Sequence, residues 1–270
     1  MTAPQRRETG TDQLLVEVTD AVALLTFNNP AKRNAMSVEM RTALPGALAA
    51  LQDDPAVRVV VCTGAGGTAF VSGADISEFG ERRTAPDARA EYDRTWAAID
   101  RAWKGLDKPV IAMIRGFCIG GGLLTALQAD IRIATEDSQF GVPAARLGLG
   151  YGFGGVTALT TLVGPAVTAE ILFSARRYGA AEALAVGLVN RVVPADRLEA
   201  EVMSLATTIT QNAPLTVAAA KVAIRAAGQP SDRRDLSRVT EMVEACFQSD
   251  DYREGQRAFA EKRPPTFLGK

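Results

Sequence analysis

Two glycine-rich turns carry the residues best suited to chemistry: Gly120-Gly121-Gly122-Leu123-Leu124 and Val71-Ser72-Gly73-Ala74-Asp75-Ile76. The first follows an apolar run, Val110 to Ile114, and opens a helix-like run, Leu123 to Gln128. Backbone N–H groups at a helix start have no intrahelical partner and favour negative charge. Two such donors, each held by a tight turn, are what a developing oxyanion needs. One helical turn beyond Gly121, where a carboxylate would serve acid–base work, stands Leu124.

The rest of the composition narrows the chemistry by exclusion. The chain has no histidine, which rules out a Ser-His-Asp triad, a Cys-His dyad and a His-ligated zinc. Cys62, Cys118 and Cys246 are too scattered for a metal site or a disulfide framework, so no metal is expected and a reducing compartment, the cytoplasm, is. The net charge of −1 gives no electrostatic case for nucleic acid or an anionic membrane. Apolar runs fall short of the roughly 20 residues a membrane helix needs.

The elements that position these turns can be traced along the chain. The 270 residues suffice for one large domain, or a domain with a smaller lobe. Residues 1–13 read as a flexible polar tail. Leu14 to Phe27 reads as two strands around Thr19-Asp20. Ser37 caps a helix running to about Gln52, which Pro45-Gly46 should bend or interrupt. Strands are expected at Val57–Thr63, Val110–Ile114 and Ile131–Ala134, with helices from Pro86 to about Trp103 and from Gly121 to Gln128. From Gly154 onward the pattern is mainly helical, with a short strand at Leu188–Val193. This is an α/β chain with a loose strand-strand-helix rhythm and a helical C-terminal part.

Five segments, in order, resemble the enoyl-CoA hydratase/isomerase (crotonase) superfamily over about Leu15 to Gly269. They are Pro30-Ala31-Lys32-Arg33-Asn34-Ala35-Met36, Phe70-Val71-Ser72-Gly73-Ala74-Asp75-Ile76, Ile119-Gly120-Gly121-Gly122, Phe140-Gly141-Val142-Pro143 and Ala258-Phe259-Ala260-Glu261-Lys262-Arg263. The resemblance implies a spiral of strand-strand-helix units, with a core over 14–200 and a helical trimerisation part over 201–270. It implies assembly as a homotrimer or homohexamer. It also implies an acyl-CoA thioester as ligand, with coenzyme A part of the substrate and no other cofactor. The family's oxyanion hole falls on the N–H groups of Ala74 and Gly121. Its CoA contacts fall on Lys32 and Arg33 for the phosphates, on Ala35, Ser72, Asp75 and Ile76 around the pantetheine and adenine, and on Phe259 and Lys262 of a C-terminal helix.

The departure lies at the acid–base positions. Hydratases that this chain resembles carry one glutamate three residues after the oxyanion glycine and another after the Pro of Phe-Gly-x-Pro. Here those positions are Leu124 and Ala144, which cannot activate water or deliver a proton. Tyr151 is the best remaining polar side chain, in a segment that resembles methylmalonyl-CoA decarboxylase-type members, although it also reads as a pocket-wall aromatic. Three functions follow: an atypical enoyl-CoA hydratase/isomerase family enzyme (lyase or isomerase), a CoA-ester decarboxylase, or a non-catalytic acyl-CoA binding protein. Asp75 and Glu78 read as loop and helix-start residues, Asp130 as a structural acceptor, Arg146 as a surface charge, and Cys118 as a small buried residue.

Overall fold

In the computed structural model, residues 3–75 and 86–270 are described. The first half runs β1 (Gln5–Arg7), β2 (Leu14–Thr19), β3 (Val22–Phe27), α1 (Val38–Asp53), β4 (Val59–Gly64), β5 (Ala69–Val71) and α2 (Pro86–Gly105). It continues through β6 (Val110–Ile114), β7 (Phe117–Ile119), α3 (Gly121–Leu127), β8 (Ile131–Thr135) and β9 (Gln139–Gly141). The second half holds α4 (Phe153–Ser174), β10 (Tyr178–Gly179), α5 (Ala180–Ala185), β11 (Arg191–Val193), α6 (Leu198–Thr210), α7 (Pro214–Ala227), α8 (Leu236–Gln248) and α9 (Asp250–Glu261).

From β4 to β9 successive strands alternate between two sheets. The larger has the order β1-β2-β3-β4-β6-β8-β11, the smaller β10-β9-β7-β5. Thus β4-β5-α2 and β6-β7-α3 each send one strand to each sheet and then a helix, which is the spiral expected. Pairing from β3 through β11 in the larger sheet is parallel, as is β5-β7-β9 in the smaller. Central strands are buried on both faces and so read as continuous apolar runs. On β4, Val60 and Cys62 join the main core with Trp103, Phe27 and Phe70, while Val59 and Val61 point to the other face and pack with Leu198, Val202 and Ala206 of α6.

Four features differ from the sequence reading. The expected tail contributes β1: Gln5–Arg7 pair antiparallel with β2, and Arg7 holds Asp54 at 2.9 Å, which covers what would be an open sheet edge. The turn between β2 and β3 lies one residue later, at Asp20-Ala21, both with positive φ. Helix α1 runs through Pro45 without a break, its Met40, Leu44, Leu48 and Leu51 buried against the core. Helix α4 is apolar and, at 22 residues, long enough by length and composition to cross a membrane, but non-helical Gly164 (φ 77°) followed by Pro165 divides it into two shorter pieces.

The C-terminal segment is latched to the core. Asp251 accepts the N–H groups of Leu268 and Gly269 at 2.6 and 2.8 Å, and Arg58 donates to the Phe267 carbonyl at 2.6 Å. On α7, buried Lys221 pairs with Asp130 at 2.8 Å, and the same carboxylate accepts Val110 N–H at 2.7 Å. Asp130 is therefore structural, as read from the sequence.

Candidate active site

The two glycine-rich turns meet at the C-terminal ends of β5 and β7, the end of a parallel sheet where ligands usually bind. Gly73 adopts φ 111°, a conformation a side chain rarely tolerates, and this turns the chain toward β7. The next residue forms a parallel bridge to Met36. That bridge uses Gly73 C=O, accepting from Met36 N–H at 2.8 Å, and Asp75 N–H, donating to Met36 C=O at 3.2 Å. In such a bridge the middle residue's own N–H points away, so Ala74 presents its donor on the opposite side. There it meets Gly121: a Cβ built on Gly121 would lie 3.6 Å from Ala74 N. Gly121 is the first residue of α3, so its N–H has no intrahelical acceptor. Among the described residues neither N–H makes a backbone hydrogen bond outside regular elements. Since α3 has only seven residues, the two donors themselves, rather than a long helix dipole, set the local field.

The three glycines divide the work. A Cβ on Gly122 would fall 1.8 Å from the Val71 carbonyl oxygen, so that residue lets α3 lie directly on β5. Gly122 is thus a close-packing glycine, distinct from Gly121 at the start of the helix.

The wall beside these donors is apolar. Leu124 and Tyr151 both come within 3.0 Å of where a Cβ on Gly155 would stand, so they flank one spot. Trp96 of α2 brings its Cη2 to 3.5 Å from the Cβ position of Gly121. The sequence reading missed Trp96 and its edge-on partner Tyr92, 6.0 Å away. Their i, i+4 spacing on a helix was the available signal. Ala144, in the 3₁₀ stretch Pro143–Leu147, is buried in the main core, and its neighbour Pro143 lies beside Gly120. Arg146 is exposed. No described carboxylate stands at either glutamate-like position.

Tyr151 is largely buried, and its hydroxyl, like Trp96 Nε1, has no hydrogen-bond partner among the described residues. Burial pushes the phenol well above its ordinary pKa, and Tyr92 and Cys118 push it further, so it stays a neutral donor. The Cys118 thiol is also pushed far up by burial, which makes it an inert core residue.

The loop carrying Lys32 and Arg33 packs against the Ala74 turn. Lys32 Nζ lies 2.6 Å from Asp75, whose carboxylate is buried, and the Ser72 hydroxyl donates to the Lys32 carbonyl at 3.3 Å. Buried Asn34 pins the region by donating to Ala65 and Ala69 carbonyls at 2.8 Å and accepting Asn29 N–H at 2.9 Å. Buried Ala35 lies beside it. Ile76 and Glu78 lie outside the described residues. Phe259 sits on α9 with its ring almost wholly exposed, and Lys262 caps that helix in a left-handed conformation. Among the described residues no cluster of His, Cys, Asp and Glu could hold a metal.

Fold and site together define a spiral α/β protein in which two glycine-rich turns meet beside apolar side chains, and comparison with known proteins names the class. The profile described as Enoyl-CoA hydratase/isomerase matches residues 17–270, and the chain belongs to that family. It is similar to a Crotonyl-CoA hydratase of Syntrophomonas wolfei, 36% identical over 259 residues, covering 96% of this chain and 99% of that one. A Carnitinyl-CoA dehydratase of Salmonella typhi is 37% identical over 250 residues, 91% of this chain and 94% of that one. The crystal structure of a putative enoyl-CoA hydratase/isomerase family protein from Hyphomonas neptunium superposes with a TM-score of 0.90 at 34% identity, over 97% of this chain and 100% of that one.

Proposed function

We propose that this protein binds an acyl-CoA thioester with its carbonyl oxygen between Ala74 N–H and Gly121 N–H, and stabilises the enolate formed there. The observation that supports this reading is the close approach of the Gly121 turn to Ala74 N, at 3.6 Å from the Gly121 Cβ position, with the Trp96 ring at 3.5 Å from the same position. Negative charge that grows on the thioester oxygen strengthens both hydrogen bonds, and only such differential binding accelerates a reaction. Relatives named as hydratases support a CoA thioester as ligand. Water addition needs a base and an acid, and Leu124 and Ala144 supply neither.

One observation favours a second reading, decarboxylation. Loss of CO₂ from the α-carbon leaves its electron pair in the thioester enolate without any base. A buried neutral phenol with an unused hydroxyl, Tyr151, suits a donor to the departing carboxylate. The third reading, acyl-CoA binding without turnover, has no observation of its own.

The apolar side chains left open on the single chain support assembly with further copies. Leu236, Val243 and Phe247 stand on one face of α8 at spacings of seven and four, and Phe259 of α9, Phe153 and Phe173 are exposed as well.

Purified protein should hydrate crotonyl-CoA slower, by about 10²–10⁴-fold for each missing group, than a member with both glutamates. It should be assayed in parallel with malonyl-type CoA esters for CO₂ release. Ordinary hydratase turnover would show that other residues supply the acid and base absent at Leu124 and Ala144. CO₂ release that Tyr151→Phe abolishes would establish the decarboxylase form.

A further inference from the structure

Two polar groups beside the glycine-rich turns have no partner. Trp96 Nε1 and the Tyr151 hydroxyl are both shielded from solvent, and neither meets a hydrogen-bonding group among the described residues. They come from different parts of the chain, α2 and the segment before α4, yet they reach one neighbourhood. Trp96 Cη2 lies 3.5 Å from the Cβ position of Gly121. Tyr151 Cε1 lies 3.0 Å from the Cβ position of Gly155, where it meets Leu124, one helical turn after Gly121. Tyr92 links the two, since its ring meets Trp96 edge-on at 6.0 Å and, after burial, it is the next cause of the raised Tyr151 pKa.

A buried polar group without a hydrogen bond is unfavourable, and a ligand that supplies the missing partner gains what the free protein lacks. The indole N–H can only donate, and a phenol held protonated by burial donates as well. What satisfies both is therefore an acceptor. Trp103, two turns further along α2, has an unpaired Nε1 too, but its side chain is 1% exposed in the main core, where no ligand enters. Trp96 and Tyr151 are only partly buried and pack at the edge of that core.

The backbone around Tyr151 has room to admit a ligand. It lies between Gly150 and Gly152, with Gly148 just before, and Cβ positions at all three meet nothing within 4 Å. Tyr151 can thus turn its hydroxyl toward an incoming oxygen without forcing neighbours aside.

We infer that Trp96 and Tyr151 together select the acyl group, so that the substrate carries a hydroxyl or carboxylate oxygen near the thioester rather than a plain alkyl chain. This rests on the CoA-thioester reading above and concerns binding, whichever reaction follows. The test is calorimetric titration of wild type, Trp96→Phe and Tyr151→Phe with three four-carbon thioesters: butyryl-CoA, 3-hydroxybutyryl-CoA and succinyl-CoA. Wild type should bind at least one oxygen-bearing ester about 5- to 10-fold tighter than butyryl-CoA, and each variant, which keeps a ring and loses a donor, should bring that ratio toward one. A preference for succinyl-CoA alone assigns a carboxylate, and one that includes 3-hydroxybutyryl-CoA assigns a neutral oxygen as sufficient. The thermal midpoint of free Tyr151→Phe should equal or exceed that of wild type, because the lost hydroxyl bonds nothing. Equal affinity of wild type for all three esters, a preference left intact in either variant, or a lower midpoint for Tyr151→Phe would overturn the inference and leave the thioester reading standing. No binding of any of the three by wild type would overturn both.

Discussion

Leu124 and Ala144 are the positions where water-adding chemistry should be recoverable. Leu124→Glu combined with Ala144→Glu is expected to introduce measurable crotonyl-CoA hydration, more than either change alone. The gain will be limited, since a carboxylate roughly 1 Å out of place loses about a hundredfold. Ala144 is buried, so a glutamate there is also expected to lower the thermal midpoint and titrate high. Adding Gly121→Pro removes one donor, because proline has no N–H, and should abolish the recovered rate. A folded triple variant that kept the full rate would refute the role given to Gly121. At this scale the sequence marked the two glycine-rich turns and Tyr151 as a wall aromatic, and it missed Trp96. The two turns were legible because glycine marks unusual backbone, as at Gly73 and Gly120, both with positive φ. Trp96 was not, because an aromatic on an amphipathic helix reads the same whether it faces a core or a cleft.

Among the elements, α3 and its seat on β5 decide whether the donors stay in place. Gly122→Ala forces a Cβ into the Val71 carbonyl and is expected to cost about 3 kcal/mol, with loss of acyl-CoA binding. Gly46→Ala is the opposite case. Gly46 is an exposed residue inside α1 with open space around its Cβ position, so alanine there should add roughly 0.5–1 kcal/mol. Urea denaturation of both variants checks the pair, and a neutral Gly122→Ala would mean that α3 can shift without penalty. The strands of the larger sheet, such as Val110–Ile114, were readable as apolar runs because both faces are buried. The three-residue strands β5, β7 and β9 were not, being too short to show a period. They form the sheet that carries the site, so the second layer became visible only in the structure. Pro45 misled for a related reason: burial of one face of α1 outweighs a local helix breaker.

For the whole molecule, the open apolar surfaces of α4, α8 and α9 support self-association, and the family resemblance sets the expected number at three or six copies. Sedimentation equilibrium should give three or six copies, and Val243→Asp with Phe247→Asp should shift the mass toward one copy; a wild-type monomer would contradict the prediction. The helical C-terminal part was legible from its composition, whereas the latch of Leu268 and Gly269 onto Asp251 was not, since a backbone contact leaves no residue-type signature. The central claim, that one thioester oxygen sits between two backbone donors, is tested most directly by a crystal structure of the protein with an acyl-CoA. The account predicts the carbonyl oxygen about 2.7–3.1 Å from both Ala74 N and Gly121 N. A well-ordered acyl-CoA whose carbonyl lies elsewhere would contradict it.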